Sequence, residues 1–498
     1  MAEERGPERA AGRAFMAEPA GMESDALLSH LPPSSGSKVG SGVASESAAA
    51  QLAGHPWATP GRLTALLCVL NVLIYLDRGT LSSTAVLGRK EGDGGADADE
   101  GIIGEFGLSS AQAGMLQSAF MVGLMVSSPV FARLAHARSA LHCIAGGLGL
   151  WVLAVAGCSI ARSYAQLVAC RCIVGAGEAS IVCLAAPFID DYAPRRRKTI
   201  WLGLFYVWIA AGTALGYVFG GVVEGLTGSW RWVFGVEAMI GLPLVLFCAL
   251  SRPIPLGRRR LEPSHEGSRV PRAGCSSFAA DVRTLLLIAP YVASIVSSGL
   301  YTGALGTLSV WGPTAAREAY SSLGDDANIA IGGATVVSGI VGTLSGGLLL
   351  DKLGGTAHRA FALCGCSTVV GGLVLLGGFA CESVVGFLSL FSVAFVALML
   401  PQAAVNAAQM WIVPTELRGL AMSLCVNAIH LLGDVPMPPL AGVLQDRLHD
   451  WRSTMSIMCL LFLPAGLGWG LAAYLSFRHH KRSAARSPLE QQRGGEAA

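Results

Sequence analysis

The feature that most constrains this chain is a series of twelve apolar runs. Each is about as long as, or longer than, the ~20 residues that carry a helix across a bilayer. They lie at residues 61–87, 111–134, 139–161, 164–191, 197–223, 230–251, 282–313, 328–353, 358–380, 384–412, 417–444 and 453–477. Lipid offers no partner for a backbone amide, so only helices and closed barrels span it. Runs of this length predict helices, and hence an all-α integral membrane protein. Composition agrees: 52% of residues are apolar and 14% are charged, against roughly 25% charged in a soluble domain. The 63 glycines suit close helix approach, and Gly175, Gly177, Gly212, Gly216 and Gly220 read as packing positions. Thirteen cysteines are scattered, mostly inside apolar runs. No spacing resembles a zinc site, so neither metal nor cofactor is expected.

Loop charge gives the orientation. By parity, Arg133 and Arg138, the run Arg195–Lys198, Arg258 to Arg260 with Arg269 and Arg272, Lys352 and Arg359, Arg418, and Arg478, Lys481 and Arg482 share one side with the N-terminus. The opposite loops are poor in Lys and Arg, and the first is acidic between Glu91 and Glu100. The positive-inside rule then puts both termini in the cytosol. A basic loop at 252–281, rich in Pro, Gly and Ser, separates a six-helix half at 61–251 from another at 282–477. Residues 1–60 read as a disordered cytosolic tail without a signal peptide, and 478–498 as a second cytosolic tail. Within the first tail, Glu23-Ser24-Asp25-Ala26-Leu27-Leu28 resembles an acidic dileucine sorting signal. That signal favours an endolysosomal or vacuolar membrane over the plasma membrane.

Ionisable residues inside the apolar runs are the candidates for function. Asp77 and Arg78 sit side by side in the first run, and Glu178 lies in the fourth. A charge at such depth costs roughly 2.5 kcal/mol or more, and intramembrane ionisable groups mark ion and substrate pathways. Asp77 and Glu178 fall near the middles of their spans, at similar depth. Burial raises a carboxyl pKa and a nearby arginine lowers it. If Arg78 or Arg171 is close in one state and withdrawn in another, protonation is linked to conformation. The alternative is a static salt bridge between the first and fourth helices. Two roles are open to Arg171, near the start of the fourth run: a cation for an anionic headgroup, or an anchor at the outer interface. His430 and Asp434 are four residues apart, so one helical face holds both. They line a cavity or hydrogen-bond between helices. Pro436, Pro438 and Pro439 then interrupt the eleventh run.

Two similar halves are the architecture of major facilitator transporters. A weak internal repeat agrees with it: Pro194-Arg195-Arg196-Arg197-Lys198 precedes Gly212, Gly216 and Gly220, as Pro414-Thr415-Glu416-Leu417-Arg418 precedes Gly433 and Gly442. Four ordered segments narrow this further. They are Asn71 to Arg78; Arg171-Cys172-Ile173-Val174-Gly175-Ala176-Gly177-Glu178-Ala179-Ser180; Leu204-Phe205-Tyr206 through Gly221; and Val413-Pro414-Thr415 with Arg418 and His430 to Asp434. Together they resemble the Spinster family of major facilitator transporters over most of residues 63–445. One departure stands out. The loop after the second helix reads Ala132-Arg133-Leu134-Ala135-His136-Ala137, with His136 where such transporters carry an acid, while Gly347 to Gly354 keeps a good copy.

The resemblance implies secondary active transport of a lipid-like amphiphile, such as a lysophospholipid or sphingoid phosphate, moved with protons. It implies Asp77, Arg78 and Glu178 as the proton-coupling group, and Arg171, Tyr206, His430 and Asp434 as substrate-binding residues. The expected partners are a lipid-like or anionic small molecule, protons and membrane lipids; nucleic acid is not among them, and the chain is expected to work as a monomer. Two alternatives remain at this stage: a small organic anion as cargo, or a non-transporting sensor with a transporter fold. No nucleophile–base set or phosphate-binding loop rises above chance, so an enzyme is not expected.

Overall fold

The structure is a computed structural model that describes residues 58–89, 100–192, 198–254, 275–414 and 417–495. Its membrane helices are α1 Pro60–Ser82, α2 Ser110–Ala137, α3 Ala140–Ser159, α4 Tyr164–Tyr192, α5 Lys198–Thr227, α6 Trp230–Leu250, α7 Ala289–Ala319, α8 Ala327–Lys352 and α9 Ala357–Ala380. Three more are segmented: α10 is Val384–Met399 with Pro401–Trp411, α11 is Arg418–Ile429 with Met437–Leu448, and α12 is Trp451–Cys459 with Phe462–Gly495. Among the described residues, eleven helices are long and apolar enough to cross a membrane, and one bent pair brings the number to twelve. Several helices start where a side chain meets the free amides of the first turn. Ser109 does so for α2, in a capping box with Gln112. Asp450 accepts from Arg452 and Ser453 at the start of α12.

Three boundaries differ from expectation. The seventh span is not one run over 282–313: Cys275–Leu286 is a separate helix, and Ala279–Leu286 turns 86° from α7 at the break. Pro290 supplies the reason: it has no amide hydrogen to continue the preceding helix, and it sits in the first turn of α7, where none is needed. The tenth span is divided at Leu400, just ahead of Pro401. The C-terminal tail from 478 continues as helix to Gly495. The Glu23–Leu28 signal, the Arg195–Arg197 cluster, the acidic stretch from 91 to 99, the body of the central loop and Thr415 lie outside the described residues, as does the side chain of His136.

The two halves repeat each other in their packing. Within the first, α1 packs on α5, α2 on α4 and α3 on α6; within the second, α7 packs on α11, α8 on α10 and α9 on α12. The halves meet through α2 against α11 and α5 against α8. Glycines set the closest approaches. A Cβ on Gly79 would lie 1.9 Å from the Thr213 carbonyl oxygen, and one on Gly216 would lie 2.1 Å from that of Leu76. The α2–α4 contact is made the same way, by Gly123 and Gly175. Gly177, Gly212 and Gly220 are equally confined, so all five glycines read as packing positions are packing positions.

Bonds between the halves gather toward the ends opposite the N-terminus. Asn328 Nδ2 donates to Thr84 Oγ1 at 2.9 Å, and its Oδ1 accepts from the Thr84 amide at 3.2 Å. Asp446 on α11 accepts from the Ser110 and Ala111 amides that open α2, at 2.8 and 3.0 Å. Tyr217 donates to the Ser309 carbonyl at 2.8 Å, and Arg89 pairs with Glu318 at 3.6 Å. On the orientation given by loop charge, the sealed side faces away from the cytosol.

Two outcomes are expected. Gly216→Leu should lower the thermal stability of the detergent-solubilised protein, at the upper end of the ~1–3 kcal/mol that overpacking costs, whereas Gly146→Leu, where a Cβ meets nothing within 4 Å, should leave it unchanged. Asp446→Ala should remove two charge-assisted bonds of about 2 kcal/mol each. Electron–electron resonance between spin labels on Gly107 and His449 should then show a larger population of long distances; an unchanged distribution would mean the cap does not hold the outer side closed.

Candidate functional site

The centre of the first half is built on an order of charges. Along α1, Asp77 precedes Arg78; along α4, Arg171 precedes Glu178 by seven residues. Seven residues are close to two helical turns, so α4 presents its base and its acid on one face about 10 Å apart. Adjacent residues on α1 point about 100° apart, so Asp77 and Arg78 part to reach one partner each. Arg171 donates from Nη1 to Asp77 Oδ1 at 2.9 Å and from Nη2 to Oδ2 at 3.0 Å, a planar fork on a carboxylate. Arg78 donates from Nε to Glu178 Oε1 at 2.9 Å, and its Nη2 donates to the same oxygen. The acids therefore do not meet each other; each meets an arginine.

The two pairs differ in access. Both side chains of the Arg171–Asp77 pair are 0% exposed, while Arg78 is 15% exposed over a fully buried Glu178. The interfacial-anchor reading of Arg171 does not hold, because its guanidinium is sealed inside the half. It reaches no open surface in this state, and contact with a substrate requires its release from Asp77. Rings replace water around the cations. The Arg78 guanidinium lies 4.4 Å from the Tyr75 ring centroid and 4.8 Å from that of Phe120, and Arg171 lies 5.7 Å from Phe120 and 5.8 Å from Phe234. Phe120 thus serves both arginines.

A third acid belongs to this centre. Glu237 on α6 is fully buried; its Oε1 accepts from the Thr80 hydroxyl at 2.5 Å, and its Oε2 has no hydrogen-bond partner. Glu237 is absent from the residues inferred from sequence. It carries the same signal as Asp77 and Glu178, an acid within an apolar run at 230–251. Phe120 and Thr80 carry no such signal, since aromatic and hydroxyl residues are common in membrane helices.

The second half contributes His430 and Asp434. They lie in a π-helical segment of α11, where the Val435 amide bonds back five residues to the His430 carbonyl at 3.0 Å. The predicted shared face is realised: His430 Nδ1 and Asp434 Oδ2 are 2.7 Å apart. Such π segments recur at functional sites. Asp434 also abuts α7, where a Cβ on Gly306 would lie 2.8 Å from Oδ1. Its carboxylate is within electrostatic reach of Arg78 and Tyr75 across the interface between halves. Tyr206 on α5 is half exposed and packs edge-on against Phe205 at 5.4 Å. An apolar groove of about 610 Å³ runs between α1, α5 and α6, lined by Val69, Val72, Leu76, Trp201, Leu204 and Trp208 among others. It belongs to the first half alone, beside the charged centre rather than in it. Among the described residues, no group of His, Cys, Asp and Glu could hold a metal ion.

Comparison with known proteins places the chain. The sequence pattern of the Major Facilitator Superfamily matches residues 67–433. The spinster homolog 2 of Arabidopsis thaliana, named a "probable sphingolipid transporter", is 39% identical over 433 residues, covering 84% of this chain and 88% of that protein. The chain belongs to the spinster family of major facilitator transporters. A sphingosine-1-phosphate transporter of Danio rerio is 26% identical over 427 residues, covering 82% of this chain and 81% of the relative. Among solved structures, a bacterial homologue of the human lysosomal transporter spinster, in an inward-facing and unoccupied conformation, superposes with a TM-score of 0.71 at 18% identity, covering 85% of this chain and 98% of that one. The fold is therefore that of a major facilitator, and the protein is a membrane transporter rather than an enzyme.

Breaking one member of the sealed pair leaves a buried charge, which costs on the order of 3 kcal/mol or more. Arg171→Gln should lower the melting temperature of the purified protein more than Arg78→Gln does. Adding Asp77→Asn to Arg171→Gln should recover part of the loss, and a purely additive double variant would show that the two residues are not coupled.

Proposed function

We propose that this transporter couples protons to the movement of a lipid-like amphiphile with an anionic headgroup, by alternating access. The observation that carries the reading is the pair of arginine–carboxylate bridges between α1 and α4, one sealed and one open at Arg78. A headgroup phosphate or carboxylate reaching Arg78 competes with Glu178 for the same donors. A carboxylate that loses its cation in a low-dielectric site takes up a proton rather than remain charged. Substrate arrival and proton uptake then become one event. Asp434 faces Arg78 from the other half and is the second acid that an arriving anion must displace or see protonated, with His430 as its hydrogen-bond partner. Tyr206 and the apolar flank formed by α1, α5 and α6 suit an alkyl chain.

The substrate class we favour is a sphingoid phosphate or a lysophospholipid. Support comes from relatives named for sphingolipids and for sphingosine-1-phosphate. A single chain supplies both halves of the bundle, in keeping with a monomer. An endolysosomal or vacuolar membrane is favoured by the Glu23–Leu28 sequence.

Uptake into proteoliposomes under an imposed pH gradient tests this, with sphingoid phosphates and lysophospholipids as cargo. Wild type should accumulate one lipid class only with the gradient, and Glu178→Gln and Asp77→Asn should lose accumulation while still binding the lipid. Flux that ignores the gradient would make the protein a facilitator in which these acids are structural.

A further inference from the structure

The buried centre of the first half does not balance if all its groups are ionised. Among the described residues of the first half, Asp77, Glu178 and Glu237 meet two cations, Arg78 and Arg171; all three acids are fully buried, and Asp434 of the second half adds a further acid near Arg78. Desolvation costs several kcal/mol per ion unless each is paired and hydrogen-bonded. A group without such a partner neutralises instead. Asp77 has a fork of two N–H donors and Glu178 has two donors on one oxygen. Glu237 has a hydroxyl on Oε1 and nothing on Oε2. Asp77 is also near enough to penalise a charge on Glu237. Two neighbouring carboxylates repel each other, and a proton on one of them removes that repulsion.

We infer that Glu237 is the resident proton carrier of this site: a neutral carboxylic acid in the state described here that passes its proton to Asp77 when Arg171 withdraws. The step balances in atoms and charge. The Oε2–H bond of Glu237 breaks, an O–H bond forms on Asp77, and the carboxylate left on Glu237 takes Arg171 as its new cation. Arg171 is already within electrostatic reach of Glu237, so the guanidinium changes partner without leaving the half. The groups facing Glu237 are Asp77 and Thr80 from α1 and Arg171 from α4. From α3, the Cys158 thiol borders Arg171 and Asp77. The described titratable side chains of α5 lie elsewhere: Tyr217 bonds to Ser309, Glu224 lines an outer crevice, and Tyr206 lies near Tyr75. Glu237 therefore deepens the coupling proposed above by adding a proton store behind the exchanging pair.

Three readouts on Glu237→Gln decide the matter. Glutamine mimics a neutral acid, so the variant should fold with an unchanged melting temperature; failure to fold would overturn the inference, since it would mean that the site needs a charge there. The difference infrared spectrum, wild type minus variant at neutral pH, should show the carbonyl band of one protonated carboxyl; the absence of any difference band would overturn it as well. In proteoliposomes, lipid counterflow should be retained while accumulation under a pH gradient is lost, and Glu237→Asp should restore accumulation with a displaced pH profile. Retained accumulation in Glu237→Gln would assign the proton elsewhere. If wild type itself transports without regard to the gradient, the coupling proposal fails, and the infrared band still reports on Glu237 alone.

Discussion

The structure depends on excluding water from the charges between α1 and α4. Arg171 and Asp77 are held so tightly that neither reaches solvent, and the rings of Phe120 and Phe234 fill the places that water would take. An ion pair of this kind is a poor source of stability, since desolvation offsets much of the attraction. Its use lies in its cost: any motion that parts the ions must bring a substitute charge or a proton. A transporter gains from such a restriction because it forbids the uncoupled step. The second pair, Arg78 with Glu178, has the same chemistry at an accessible position, so a ligand can supply the substitute.

That arrangement gives the halves unequal tasks. Among the described residues, the first half gathers three carboxyls and two guanidiniums in one cluster. The second supplies His430 and Asp434, with Asp434 turned toward Arg78. The outer seal through Asn328, Asp446 and Tyr217 holds the halves together at the far ends. Charge chemistry thus lies at mid-depth and closure bonds lie outside it, joined by α2, which carries Phe120 at one level and the amides of Ser110 and Ala111 at another. A change at the centre can reach the seal through one rigid helix.

Much of the fold is legible in the sequence because bilayer thickness imposes a length that apolar runs reveal directly. What misled was proline. Pro290 falls inside an apolar stretch that reads as continuous, and only backbone geometry reveals that the chain turns there. Asp77, Arg78 and Glu178 are legible for the same reason as the spans: charge is conspicuous against hydrocarbon. Their pairing is not, because a seven-residue spacing on α4 says which groups share a face but not which acid on α1 each will meet. Arg171 stands near the start of its run and looks interfacial. Its burial follows from the neighbouring α1, which no local pattern reports. Glu237 lies in plain sight by the same rule that identifies the other acids, yet its meaning emerges only when the charges of three helices are counted together.

The π-helical segment of α11 has a geometric consequence beyond holding His430 against Asp434. An extra residue within a helix turns everything after it by about 100°. Before the segment, α11 serves α7 in its own half; after it, Met437–Leu448 presents Gly442 and Asp446 to α2 of the other half. The surplus residue is thus a swivel in the sequence, letting one helix belong to two bodies. Between His430 and Asp434 the chain has a fixed length: losing one residue there would turn the outer seal away from its partner while leaving every contact below it intact.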